Sequence, residues 1–205
     1  MQQKEAFASG EGDHYFARNR KIDPNIPTVV SFFRPYIEPG FKVLEIGCSN
    51  GATLRAMIDG KGAEGFGIDP SAAAVGDAPP GLKLKVGTAD TLDYPGASLD
   101  MVNFGFCLYL IDRPLLDTAI SEADRVLKPG GFLGIWDFDP PRPIDREYRH
   151  RAGIKTFKRD YSALFLKRPN YVLIAKAPMT HAGPGFSRDP QERVACWLLH
   201  KSPVS

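Results

Sequence analysis

Residues 41–59, FKVLEIGCSNGATLRAMID, change their apolar rhythm halfway, and that change limits the folds open to the chain. Residues 41–47 form a short apolar run closed by a glycine turn, the pattern of a strand covered on both faces. Beyond the turn, Leu54, Met57 and Ile58 recur at helical spacing up to Gly60.

The alternation continues. GFGID (65–69) is a short strand, SAAAV a short helix, LKLKVG (82–87) a strand with one solvated face and LDMVNFGF (99–106) a strand covered on both. Leu115, Leu116, Ala119, Ile120, Ala123 and Leu127 then share one helix face, with Pro114 in the first turn and Lys-Pro-Gly-Gly as the stop. GFLGIWDF (131–138) is the next strand. Strands alternating with helices predict an α/β, doubly wound, mostly parallel sheet with helices on both faces.

DYSALFLKRPNYVLIAKAPM reads either as a hairpin turning at Arg-Pro-Asn or as a helix followed by a strand. Asp160 can cap a helix, and Tyr161, Leu164 and Phe165 fall at i, i+3 and i+4, so a helix is expected over 160–167. Strands follow at 171–177 and 192–201. Residues 1–24 and 139–159 stand outside the alternation, the first as an N-terminal cover segment, the second as a long basic connection and candidate lid.

At 205 residues and 43% hydrophobic, the chain suits one domain with a sizeable core. Its formal charge of +2 demands no nucleic-acid or anionic-membrane partner. No apolar run approaches the roughly 20 residues of a membrane helix, and the start lacks a signal-peptide centre, so a cytoplasmic protein without membrane contact is expected. Cys48, Cys107 and Cys196 are far apart without a CxxC pair, so no metal is expected and all three read as buried thiols.

In open parallel sheets ligands sit beyond the carboxyl ends of the strands, where Gly47, Cys48, Ser49, Asn50 and Gly51 lie. A dinucleotide is one candidate, but Gly-Cys-Ser-Asn-Gly is not GxGxxG, and Glu45 puts an acid beside a pyrophosphate. That acid suits a ligand with positive groups and no phosphate, such as S-adenosylmethionine, and glycines permit close backbone approach.

Glu45, Gly47, Ser49 and Gly51 resemble the first motif of the class I, Rossmann-like S-adenosylmethionine-dependent methyltransferases, with serine at the middle glycine. Asp69 with Pro70 matches the family's ribose-binding acid, Asp90 its adenine-contacting acid with Thr91 and Leu92 beside the ring, and DRVLKPGGFLGIWDF its approach to the fifth strand. The resemblance is strong over about 25–138 and implies a seven-stranded sheet with an antiparallel last strand. It also implies a cofactor site of Glu45, Gly47, Cys48, Ser49, Asn50, Gly51, Asp69, Pro70, Asp90, Thr91, Leu92 and Phe104.

The sulfonium methyl is already activated, so acceptor alignment and water exclusion are the main tasks, with a base wanted for a hydroxyl acceptor. NFGFCLYLID lacks the Asn/Asp-Pro-Pro-aromatic motif of base-directed relatives, which disfavours nucleic-acid bases. Asp137, Asp139 and Tyr109 are the candidate catalytic groups, with Asp139 also readable as a turn initiator before Pro140; His14 is a further candidate on the cover segment. Arg142, Arg146, Arg149, His150, Arg151, Lys155, Lys158 and Arg159 make the connection either a solvated loop or an anion-holding lid. The expected function is methyl transfer to a small-molecule acceptor, such as a sugar or another hydroxyl or amine metabolite. An RNA methyltransferase using the 142–159 segment and a non-catalytic cofactor-binding module are the rival readings.

Overall fold

The structure, a computed structural model, describes residues 2–19 and 25–203. Residues 20–24 of the expected cover segment lie outside the described residues.

A parallel core forms first in the chain: β1 (Lys42–Ile46), β2 (Glu64–Asp69), β3 (Leu82–Val86), β4 (Leu99–Gly105) and β5 (Leu127–Phe138). α4 (Ala52–Ile58), α5 (Ala72–Gly76) and α6 (Arg113–Val126) connect them, after α1 (Gln3–Ala6), α2 (Gly12–Arg18) and α3 (Ile26–Phe33). Further on come β6 (Ile144–Glu147), β7 (Lys155–Lys158), α7 (Ser162–Leu166), β8 (Tyr171–Thr180), β9 (Gly183–Pro184) and β10 (Arg193–Lys201). The main sheet has eight strands in the order β3-β2-β1-β4-β5-β10-β8-β9. β10 inserts between β5 and β8 and runs antiparallel to both. The doubly wound α/β expectation holds, and the strand beyond the expected seven is the two-residue β9, paired with Met179 and Thr180.

Central strands bury both faces: Val43, Leu44, Met101, Val102, Leu133 and Ile135 are inaccessible, each aliphatic side chain contributing roughly 1.5–3 kcal/mol. Period-2 alternation on β4 sends neighbours to opposite layers. Asn103 donates from Nδ2 to Met57 Sδ of α4, while Phe104 packs on Phe165 of α7 at 6.2 Å between centroids. α6 turns Leu116, Ala119, Ile120, Ala123 and Val126 inward, the helical periodicity read from the sequence. It yields directly to β5, whose Leu127 already pairs with Leu99 across a register shift.

The segment at 160–167 is helical, as expected, over Ser162–Leu166, with Tyr161 and Phe165 fully buried. Asp160 Oδ1 accepts the Ser162 N–H at 2.9 Å, satisfying one of the donors a helix start leaves open. The 139–159 connection is more ordered than its composition suggests: β6 and β7 form an antiparallel hairpin from Ile144↔Lys158 to Glu147↔Lys155.

Candidate active site

β1 ends in a turn that only small residues tolerate. Gly47 (φ +75°), Ser49 (φ +50°) and Gly51 (φ +79°) take left-handed conformations, and a Cβ on Gly47 would fall 2.6 Å from Cys107 Cβ. Gly47 and Cys48 donate their N–H groups to Ile68 O at 2.9 and 3.1 Å, which ties the turn to β2. The serine replacing the family's middle glycine is thus strained, and its N–H is held by Asp69 Oδ2 at 2.8 Å.

Asp69 Oδ1 accepts the Ser71 N–H at 2.9 Å. Burial raises the Asp69 carboxyl, Ser71 and Ser49 oppose the rise, and the Asp13 charge adds to it. A carboxylate has about four lone-pair sites, so two remain for ligand hydroxyls. Glu45 is 3% exposed, lines the same space and leaves Oε2 without a partner among the described residues. Burial pushes its carboxyl up to about 8 against the Leu54 backbone bond, with the Asp69 charge adding to the rise. A buried, partnerless acid is stabilised by an arriving cation. Asp90 Oδ2 accepts from Lys4 Nζ at 2.6 Å; burial alone would raise this carboxyl, but Lys4 and Thr88 hold it below its ordinary value.

These groups line one end of a cavity of about 700 Å³. Its other end is aromatic. Phe106 sits at φ +54°, its N–H held by Trp136 O at 2.8 Å, and its ring lies 5.0 Å from Trp136 and 5.9 Å from His181. Trp136 Nε1 has no partner among the described residues.

The N-terminal segment closes the cavity with Lys4, Phe7, Tyr15 and Phe16. Asp112, at the N-terminal cap position of α6, accepts the Gln3 and Lys4 N–H groups at 2.9 and 2.8 Å and so caps α1 instead of its own helix. Asp13 accepts the Ser71 hydroxyl at 2.6 Å and the Ala73 N–H at 3.0 Å, fixing the far end of the segment. The β6–β7 hairpin braces this cover from outside. Tyr148 meets the Phe7 ring at 6.1 Å and accepts from Arg18 at 2.8 Å, while the Lys155 N–H donates to Gln3 Oε1 at 2.7 Å.

Among the residues expected at the cofactor, Glu45, Gly47, Cys48, Ser49, Asn50, Asp69, Pro70 and Asp90 line the cavity together. Four others do not. Gly51 packs beneath Leu82 and Leu84, Thr91 is exposed, Leu92 is in the core, and Phe104 packs on Phe165.

None of the three expected catalytic groups lines the cavity. Asp137 is fully buried and accepts the Phe138 and Tyr109 N–H groups at 2.7 and 3.3 Å. Burial pushes its carboxyl up to about 7 against those backbone bonds and that of Leu108. Asp139 is bound by Lys176 at 2.8 Å. Tyr109 is buried with its hydroxyl 3.3 Å from that of Tyr15, and burial pushes that hydroxyl well up. His14 is largely exposed beside Glu11. No residue of 142–159 lines the cavity, which leaves the basic connection as a brace. Trp136 and His181 were missed by sequence reasoning.

A family model described as a methyltransferase domain matches residues 43–131. Two curated relatives are similar over about half of this chain. Sterol 24-C-methyltransferase ERG6B of Gibberella zeae is 35% identical over 115 residues, 50% of this chain and 29% of its own length. The ubiquinone/menaquinone biosynthesis C-methyltransferase UbiE of Bordetella avium is 34% identical over 114 residues, 51% of this chain and 44% of its own. The chain therefore spans less than half the length of either. In fold it is similar to Burkholderia thailandensis 1,6-didemethyltoxoflavin-N1-methyltransferase, solved with 1,6-didemethyltoxoflavin and S-adenosylhomocysteine. The TM-score is 0.73 at 14% identity, covering 98% of this chain and 87% of that one.

Proposed function

We propose that this chain, whose residues 43–131 match a methyltransferase-domain model, is a class I, Rossmann-like methyltransferase that binds S-adenosylmethionine and transfers its methyl group to a small molecule. The observation that carries the reading is Glu45, a buried acid with an oxygen left unpartnered among the described residues, beside a glycine turn in which a Cβ on Gly47 has no room. A cation without phosphate fits that pairing, and a pyrophosphate does not.

The residues present fit the cofactor. Gly47–Asn50 supply close backbone approach, Glu45 an acid for a positive group, Asp69 two open acceptor positions for ribose hydroxyls and Asp90 an acceptor for the adenine amino group. S-adenosylmethionine supplies an activated methyl on a sulfonium. The protein's part is to align the acceptor and exclude water, which the braced N-terminal cover does.

The curated relatives named above include a sterol 24-C-methyltransferase and a ubiquinone/menaquinone biosynthesis C-methyltransferase, and the fold neighbour is a 1,6-didemethyltoxoflavin N1-methyltransferase, which supports a small-molecule acceptor. The aromatic end of the cavity favours an apolar acceptor over a sugar. With Asp137 and Asp139 turned to protein partners, catalysis rests on positioning, and His181 is the imidazole at the cavity for a proton that must leave. No described helix is long and apolar enough to cross a membrane.

Calorimetry with S-adenosylhomocysteine tests the cofactor, and cell-extract metabolites incubated with labelled-methyl cofactor test the transfer. Saturable binding and a labelled small product are expected. Tight NAD binding without S-adenosylhomocysteine binding overturns the reading.

A further inference from the structure

Charge sets the β6–β7 hairpin apart from the rest of the molecule. Residues 142–159 hold seven arginines and lysines against two acids, an excess of five in a chain whose whole excess is two, so the remainder is net acidic. The pairs Ile144↔Lys158 and Arg146↔Thr156 put Arg146 and Lys158 on one face, since opposed residues of an antiparallel pair share a face and alternate ones repeat it. Arg149, just past the last pair, joins them electrostatically. Burial lowers the Lys158 ammonium from its ordinary value, Glu192 and Asp189 oppose the fall, and Arg146 and Arg149 add to it. Arg146 and Arg149 are exposed, and neither has an ion-pair partner among the described residues. Cations left without acids attract an anionic partner.

A neighbouring loop adds an apolar tip. Lys158 Nζ donates to Gln191 O at 2.8 Å, which joins the hairpin to the loop 181–192. Phe186 on that loop is 64% exposed, more than any other large apolar side chain described. Arg193 pins it, with Nε donating to Ser187 O at 2.8 Å and the guanidinium 4.6 Å from the ring centroid. The loop's acids are occupied: Asp189 Oδ1 accepts the Gln191 N–H at 2.9 Å, and Glu192 faces Lys158. One exposed phenylalanine by itself needs no explanation. A pinned one beside a cation cluster is the pairing that settles in a lipid headgroup layer, ring toward the acyl chains and cations on the phosphates. A single-stranded nucleic acid is the rival polyanion, but it stacks on a series of rings, and Phe186 is the one exposed Phe, Tyr or Trp among the described residues. The surface also borders the acceptor end. Lys158 Nζ lies 3.8 Å from the Phe138 ring centroid, and Phe138 stacks at 5.6 Å on His181, which lines the cavity and opens the loop.

We propose that the hairpin face of Arg146, Arg149 and Lys158, together with the Phe186 tip, docks on an anionic lipid surface and so brings the acceptor end of the cavity to the membrane. Lipid is where an apolar acceptor concentrates. That purpose rests on the apolar acceptor argued above, whereas the docking and the cofactor reading fail separately.

Flotation of the full chain with vesicles of mixed phosphatidylcholine and phosphatidylglycerol, against vesicles of phosphatidylcholine alone, tests it. Binding about tenfold or more tighter to the anionic vesicles, falling with added salt, is expected. Arg146→Gln combined with Arg149→Gln weakens it about tenfold and Phe186→Ser severalfold, both leaving S-adenosylhomocysteine affinity within about twofold. Phe186→Trp keeps an aromatic anchor, and because Trp136 and Trp197 are buried, its emission reports the tip and shifts to the blue on anionic vesicles. Equal binding to both vesicles, full binding in the arginine and serine variants, or an unshifted emission from Phe186→Trp overturns the proposal. Binding of polyuridylate without binding of vesicles overturns it in favour of a nucleic acid. Vesicle binding by a chain that fails to bind S-adenosylhomocysteine supports the docking and overturns the cofactor reading alone.

Discussion

The cofactor end of the cavity is assembled from neighbouring strand ends within residues 45–90, whereas its acceptor end draws on the N-terminal segment, the ends of β4 and β5 and the turn after β8. The first is local: the Gly47 N–H bonds the Ile68 carbonyl and the Ser49 N–H the Asp69 carboxylate, both between adjacent strand ends. The second exists only once distant segments have met. Local turn geometry leaves a signature in residue types, because left-handed φ and close approach exclude most side chains. Convergence leaves none, since Phe7, Trp136 and His181 are ordinary residues until the fold brings them together.

Two glycines of similar conformation break the comparison most sharply. Gly47 (φ +75°) and Gly153 (φ +79°, in the bracing hairpin) both strain an alanine, but a Cβ at Gly47 meets Cys107 while nothing lies within 4 Å at Gly153. Gly47→Ala is expected to cost roughly 2–4 kcal/mol of stability from strain plus overpacking, and to abolish measurable S-adenosylhomocysteine binding. Gly153→Ala carries the strain alone, about 1–2 kcal/mol, and keeps the binding. Thermal unfolding with and without ligand measures both, and equal effects would show that the turn is no more constrained than the brace.

Asp69→Asn comes next. Asp69 holds Ser49 and Ser71 with separate oxygens, and asparagine keeps only one acceptor oxygen. Cofactor affinity should fall by roughly 1.5–3 kcal/mol, about 10- to 150-fold, by calorimetry. An undiminished affinity would remove Asp69 from the cofactor end.

These residues also show how far the sequence was legible. Each strand of the parallel core was readable because burial on both faces and period 2 are local patterns, and Glu45, Gly47 and Asp69 because they sit where those strands end. Asp137 and Asp139 were placed at the acceptor side by the same rule, position at a strand end. Strand position does not say which way a side chain points, and Asp137 turns to the amides of Tyr109 and Phe138 instead. The hairpin at 144–158 was unreadable because its stability comes from Tyr148 and Ile154 packing with Ala6 and Phe7, residues more than a hundred positions away.

The misplaced Asp137 yields a third test, smaller at neutral pH than the first two. Its folded carboxyl titrates at about 7 against an ordinary 3.8, so over that window the native state keeps a proton that the unfolded chain has lost. This contribution is fully present below about 4 and is lost as the pH rises to about 7. Asp137→Asn removes the titration and weakens the acceptance of backbone N–H groups, costing about 1–3 kcal/mol at pH 4. The gap in Tm between the native chain and the variant should narrow from pH 4 to pH 7. A constant gap would mean that Asp137 is ionised in the native state throughout and open to solvent, and would return it to the candidates for a base.

The smallest expected effect lies where the two ends touch. Lys4 belongs to the cover, yet its ammonium is 2.6 Å from Asp90 Oδ2, the acid proposed above to take the adenine amino group. The lysine is more than a third exposed, so the pair stabilises the closed cover by no more than about 1 kcal/mol. Its effect on the ligand has a definite sign. An adenine amino group donating to Asp90 either displaces the ammonium or shares a carboxylate whose charge Lys4 has partly neutralised, and both weaken the new bond. Lys4→Met keeps the apolar stem against the cavity and removes the charge. It should tighten S-adenosylhomocysteine about two- to fivefold, within the 1 kcal/mol that such pairs carry, and the gain should shrink in high salt as the native pair is screened. Weakening by more than threefold would place Lys4 among the cofactor's own partners, and the cofactor end would then be no more self-contained than the acceptor end.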